Sequence, residues 1–255
     1  MELPIFQVDA FASAPFKGNP AAIVPLETWL PDSAMQSIAE ENNLAETAFY
    51  VREPAGYRIR WFTPTVEVDL CGHATLAAAS VIGLDKVTFQ SRSGELSVTR
   101  DGDRYTLDFP SLPAHPCPAP SGLLAALGAT PDAILRSNFC MCVFDNEDQI
   151  RAISPDMMAL AKVDCFGIIV TAPGTDCDFV SRMFAPAAGI PEDPVTGSAH
   201  SVLTPYWSAR QAKQEMFARQ ISNRGGELWC EQRGDRVGIG GNVIRYLEGA
   251  IHISL

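Results

Sequence analysis

Two short segments carry residue types suited to chemistry at matching spacing: Cys71-Gly72-His73-Ala74 and Thr196-Gly197-Ser198-Ala199. Each leads into a stretch that reads as a helix, so Gly72 and Gly197 stand at helix starts. There, up to four backbone N–H groups lack intrahelical partners and the helix carries a partial positive charge, which together bind a carboxylate without any cationic side chain. Glycine lets a ligand come close to the backbone. His73 and Ser198 follow the two glycines, where a side chain reaches the same ligand. Two such pockets facing one cleft could grip a dicarboxylate, or an acid plus a developing enolate. The plainer alternative is a tight turn before a buried helix, and finding the arrangement twice weakens it.

Moving a proton on carbon also needs a base. Glu46 follows a helix predicted to end near Asn42-Asn43 and precedes the apolar strand Thr47 to Val51. Such a position can be half-buried, and a desolvated carboxylate has its pKa raised toward neutrality, where it takes a proton from carbon and returns it. Glu40 and Glu41, on the exposed part of that helix, illustrate the ordinary alternative of a solvated charge. Cys71 competes for the role, because a helix start can activate a thiolate. Its counterpart is Thr196, whose hydroxyl is far too weak a base at neutral pH, so racemisation by two thiols is disfavoured. A non-catalytic binder of small carboxylates would use the helix starts and leave Glu46 idle.

The elements that must position these residues repeat. Arg60-Trp61-Phe62-Thr63-Pro64 matches Arg182-Met183-Phe184-Ala185-Pro186; the two chemical segments match next, with Glu67 and Glu192 each four residues upstream. Arg92-Ser93-Gly94-Glu95-Leu96 with Gly102-Asp103-Arg104 then matches Arg224-Gly225-Gly226-Glu227-Leu228 with Gly234-Asp235-Arg236. Any one pair could be ordinary hairpin chemistry, but three in the same order mark a duplication. The expected fold class is α+β: two pseudo-repeated lobes, 1–110 and 121–255, joined by a proline-rich linker over 111–120 that excludes helix and central strand. Each lobe is read as a strongly curved, mostly antiparallel sheet wrapped around a central apolar helix. Strands are predicted at 3–11, 22–24, 47–52, 57–62, 87–90, 96–100 and 104–109. A helix over 34–42 is expected to be capped by Asp32 or Ser33. From Leu70 to Leu84 there is no Asp, Glu, Lys or Arg, so that helix must be buried on all sides. Its counterpart, 198–209, carries Pro205, which should kink or restart it.

Composition narrows the classes. The chain has 255 residues, 47% of them hydrophobic, enough for two cores. Its net charge of −11 has the wrong sign for nucleic acid or an anionic membrane surface. No apolar stretch is long enough to span a bilayer and the first residues do not read as a signal peptide, so a cytoplasmic location is expected. The seven cysteines form no C-x-x-C pair, and the four histidines show no H-x-H or H-E-x-x-H spacing, so neither a disulfide framework nor a metal site is predicted. Gly238-Ile239-Gly240-Gly241 opens no helix and reads as a turn or bulge.

The segments Gly18-Asn19-Pro20-Ala21-Ala22, Asn43-Leu44-Ala45-Glu46-Thr47-Ala48-Phe49, Trp61-Phe62-Thr63-Pro64, Cys71-Gly72-His73-Ala74-Thr75 and Glu192-Asp193-Pro194-Val195-Thr196-Gly197-Ser198-Ala199 resemble the PhzF-like family of phenazine-biosynthesis isomerases, across essentially the whole chain. The resemblance implies a diaminopimelate-epimerase-like fold with the active site between the lobes, and a cofactor-independent isomerase acting on a small carboxylate metabolite. It implies Glu46 as the acid/base, with His73, Asp193 and Ser198 binding substrate or assisting. Gly72 and Gly197 stay the anion-binding glycines, and Asn19, Cys71 and Thr196 are secondary positions. It also suggests a homodimer.

Overall fold

A computed structural model describes residues 1–254. The chain forms two units, one of Met1–Asp108 with the stretch from Gly240 onward, the other of Phe109–Ile239.

In the first unit, β1 (Glu2–Ala10) runs antiparallel to β2 (Asn19–Leu26), the chain rises through α1 (Asp32–Asn42), and β3 (Glu46–Glu53) returns parallel to β2. Then β4 (Gly56–Phe62) turns back on β3, β5 (Glu67–Val68) folds against β4, and α2 (Gly72–Ile82) crosses over to β6 (Lys86–Ser91), parallel to β4. The hairpins of β6, β7 (Gly94–Asp101) and β8 (Arg104–Pro110) complete it.

The second unit begins with β9 (His115–Pro116), α3 (Leu123–Leu127), β10 (Ala133–Arg136) and β11 (Cys140–Val143). After α4 (Glu147–Ala152) and α5 (Met157–Leu160), β12 (Ile168–Pro173) lies parallel to β11. Next come β13 (Phe179–Ala185), antiparallel to β12, β14 (Ile190–Asp193) folded on β13, the crossover helix α6 (Gly197–Gln211), and β15 (Glu215–Gln220), parallel to β13. Finally β16 (Gly226–Arg233) pairs with β15, and β17 (Arg236–His252) follows. The order of parallel and antiparallel steps from β2 to β7 is therefore the order from β11 to β16. The duplication read from three sequence matches extends through the topology.

The central helix of each unit is apolar because the sheet curves around it. Every residue of α2 from Gly72 to Ala79 is buried, against β1, β2, β3 and β7. In the first unit the opposite sheet face is covered by α1, whose Met35, Ile38 and Ala39 meet Val24, Phe49 and Phe62. In the second unit, α3, α4 and α5 cover β11 and β12 through Leu123, Leu127, Ile150 and Leu160, while α6 packs on β15 and β16. Among the described residues no helix is long and apolar enough to cross a membrane.

Four sequence expectations need correction. Neither Asp32 nor Ser33 caps α1: Pro31 is the N-cap with no side-chain bond, and the Asp32 carboxylate instead accepts from Arg60 at 2.8 Å. The restart expected at Pro205 does not occur, since α6 runs on through it. A proline at 205 frees the carbonyl of Ser201, one turn earlier, and the Leu112 N–H from the proline-rich stretch takes it at 2.9 Å. That stretch is tied to the second unit, with Ser111 and Cys117 also donating to Asp235 and Ile134. The chain from Gly240 onward belongs with the first unit, since Val243–His252 pairs along the whole of β1.

Nor is Gly238-Ile239-Gly240-Gly241 a turn. It lies within β17, and the shift in register of the β1 pairing falls later, opposite Gln7 and Val8. A Cβ on Gly241 would lie 2.4 Å from Cδ1 and 3.1 Å from Cα of Phe11, a fully buried residue held at φ 58°. Glycine is there for close approach. Gly241→Ala is expected to destabilise the chain by about 1–3 kcal/mol through overpacking, read as a lower urea midpoint. An unchanged midpoint would show that Phe11 moves aside freely.

Candidate active site

α1 ends at Asn43, which adopts the left-handed conformation (φ 47°) and donates its N–H to Ala39. Asparagine tolerates that conformation, and it reverses the chain so that Glu46 becomes the first residue of β3, opposite Ala21 of β2. Asn42 then anchors the start of the strand through Thr47 at 3.1 Å. β2 and β3 run parallel, so Asn19, fully buried at the first residue of β2, is delivered to the same strand ends. α2 begins at the neighbouring edge with Cys71 as its extended N-cap and no side chain bonded across the helix start.

The result joins residues from distant segments. The Glu46 carboxylate lies 3.1 Å from Nε2 of His73, with the two side chains 12% and 6% exposed. The other ring nitrogen, Nδ1, lies 3.5 Å from Sγ of Cys71. Burial opposes charge on His73, but the Cys71 and Glu46 groups flanking it outweigh burial and hold its pKa well above the ordinary 6.5. Burial and the Glu46 charge push the Cys71 thiol up to about 11, so it is neutral at pH 7. The arrangement is a carboxylate against a cationic imidazole at the positive end of a buried helix, suited to proton transfer and to stabilising a negative charge.

In the second unit, Thr196 is the extended N-cap of α6, again without a side-chain cap. Its hydroxyl is committed: it donates to the Asp193 carboxylate at 2.5 Å. Gln220 organises this helix start, accepting from the Thr196 N–H at 2.9 Å and donating to the Asp193 carbonyl at 2.8 Å. Gly197 is buried and Ser198 half-buried. No motif singles out Gln220; its 1% exposure is what marks it.

The sequence matches also hid a shared device. Arg60 forks onto Glu67 at 2.7 and 2.8 Å, and Arg182 onto Glu192 at 2.7 and 3.0 Å. In each unit this bidentate pair ties the strand before the crossover to the residues leading into the helix start. One turn into each helix, a side chain donates back to the N-cap carbonyl: Thr75 to Cys71 at 2.6 Å, and His200 Nδ1 to Thr196 at 2.8 Å.

His200, absent from the sequence candidates, is fully buried, and burial lowers its pKa to about 4 against an ordinary 6.5. A group depressed on folding contributes stability that is complete above its unfolded pKa and is lost as pH falls through the folded one. The urea midpoint is therefore expected to drop between pH 6.5 and about 4, by the equivalent of about 3 kcal/mol, and His200→Gln should flatten that window. An unchanged profile in the variant would show that His200 is accommodated as a cation.

A family model described as phenazine biosynthesis-like protein, PhzC-PhzF, matches residues 8–249. An uncharacterized isomerase of Pseudomonas aeruginosa is 52% identical, covering 99% of this chain and all of the relative. The crystal structure of a PhzF-family phenazine biosynthesis protein from Enterococcus faecalis superposes with a TM-score of 0.97 at 45% identity, over 99% of this chain and 100% of that one. A structure described as a predicted epimerase from Pseudomonas aeruginosa, 20% identical, has a TM-score of 0.77 over 99% of this chain and 100% of that one, a likeness of fold.

Proposed function

The chain belongs to the phenazine biosynthesis-like PhzC-PhzF family and is an isomerase, and we propose that it moves a proton on a small carboxylic acid with Glu46 as general acid/base. The observation that carries this reading is the 3.1 Å approach of the Glu46 carboxylate to His73, both largely buried beside the uncapped start of α2. Removing a proton from the carbon next to a carboxyl group builds negative charge on oxygen. Backbone N–H groups of Gly72 and His73, with the imidazolium, supply donors for it, and this electrostatic term commonly dominates such catalysis. Asn19 is a further contact at the adjoining strand end.

In the second unit, Asp193, Gly197 and Ser198 are proposed substrate contacts, with Gln220 holding the helix start in place. Thr196 is a positioning residue, since its hydroxyl is already given to Asp193.

The test is solvent isotope exchange. The protein is incubated in heavy water with a panel of 2-amino, 2-hydroxy and unsaturated acids, and deuterium is followed into carbon by NMR or mass spectrometry. Incorporation into at least one acid is expected. A panel in which acids raise the melting temperature but none exchanges would make the protein a binder of carboxylates.

A further inference from the structure

Among the described residues, Glu46, Cys71 and His73 are a group of three side chains whose carboxylate, thiol and imidazole atoms all lie within 4.8 Å of one another. The expectation of no metal site came from histidine spacings, whereas this group joins a Cys-x-His step at a helix start to a glutamate from another strand. We propose that Cys71, His73 and Glu46 bind a thiophilic divalent cation, Zn2+ or Cd2+, and that the bound ion blocks the isomerase by occupying its proton-transfer groups.

The geometry fits. Tetrahedral zinc holds sulfur at about 2.3 Å and imidazole nitrogen at about 2.0–2.1 Å, so the two donors stand about 3.6 Å apart. Cys71 Sγ and His73 Nδ1 are already 3.5 Å apart. Glu46 offers an oxygen as third ligand, leaving the fourth position to water. Binding displaces the thiol proton and the imidazolium proton, so affinity rises with pH and protons are released to the solvent. No electrons move, and Zn2+ or Cd2+ is the only added component.

The occupancy half of this inference stands on geometry alone, while the inhibitory half rests on the proposed isomerase. Metal-stripped protein is titrated with Cd2+, reading the sulfur-to-cadmium charge-transfer band, alongside Cys71→Ser and His73→Gln. The six other cysteines, Cys117, Cys140, Cys142, Cys165, Cys177 and Cys230, all lie in the second unit, so the wild-type minus Cys71→Ser difference is the informative signal. One equivalent is expected to disappear in Cys71→Ser, and His73→Gln, which removes a ligand outright, should weaken it by at least the roughly 10–100-fold lost when only a ligand's outer partner is removed. Circular dichroism checks that both variants fold; if either does not, proton release from unmodified protein on adding Zn2+, measured in weakly buffered solution against Mg2+, replaces the comparison. Identical titrations in all three proteins, or no release with Zn2+, overturn the proposal whatever the activity. In the second arm, Zn2+ should suppress deuterium exchange and a chelator restore it. Full exchange with one metal equivalent bound overturns the inhibitory half, and a protein that binds Cd2+ but never exchanges separates failure of the isomerase reading from failure of this one.

Discussion

Glu46→Gln is expected to lower deuterium incorporation by about 10²–10⁴-fold, the range general acid–base catalysis supplies. The amide keeps the shape of the carboxylate at the first residue of β3 and can still meet His73, but it neither accepts a proton from carbon nor returns one. Cys71→Ala is the necessary partner experiment, because the thiol sits 3.5 Å from the same imidazole. A thiol pushed up to about 11 is ionised in about one molecule in 10⁴ at pH 7, a penalty that a thiolate route must carry. Exchange in Cys71→Ala should therefore stay within about tenfold of wild type. If Cys71→Ala abolishes exchange and Glu46→Gln retains it, the base is the thiol.

The route from sequence to this site was open at some points and closed at others, for physical reasons. Glu46 could be placed at a strand's first residue because a helix stop at Asn42-Asn43 and an apolar run from Thr47 are local signals. The all-apolar stretch over 70–84 gave the buried central helix in the same way. What stayed hidden depends on partners far away in the chain. Arg60, Glu67, Arg182 and Glu192 all stood in the repeat as matching letters, yet only folding shows them as two bidentate pairs. Pro205 read as a kink or restart of the helix because local rules cannot see Leu112 arriving to take the freed carbonyl. The glycines of β17 looked like a turn because Phe11, the neighbour that requires Gly241, is contributed by the other end of the chain. Gln220 has no local signature at all.

The largest stability effect is expected at Arg182→Met, about 3–5 kcal/mol, because it breaks an ion pair that is 13% and 21% exposed and leaves the Glu192 carboxylate without its partner. Two more acceptors, the carbonyls of Ile150 and Ile153, lose the Arg182 guanidinium at 3.1 and 2.6 Å, which detaches the end of α4 from β13. The equivalent Arg60→Met should cost clearly less. There Glu67 keeps a second cation, Arg92, at 2.8 Å, and Asp32 is 74% exposed and returns to water. Adding Glu192→Gln to Arg182→Met should recover part of the loss, since the stranded charge is then gone. Urea midpoints for the three proteins decide it, and equal losses at Arg60 and Arg182 would mean that Arg92 does not hold Glu67 once Arg60 is gone. The same variant reaches the site, because Glu192 immediately precedes Asp193, whose carboxylate accepts from Thr196 at the start of α6. Loosening the Arg182 clamp should therefore lower exchange even under conditions where the protein remains folded, while Arg60→Met, whose Glu67 is still held, should leave it closer to wild type.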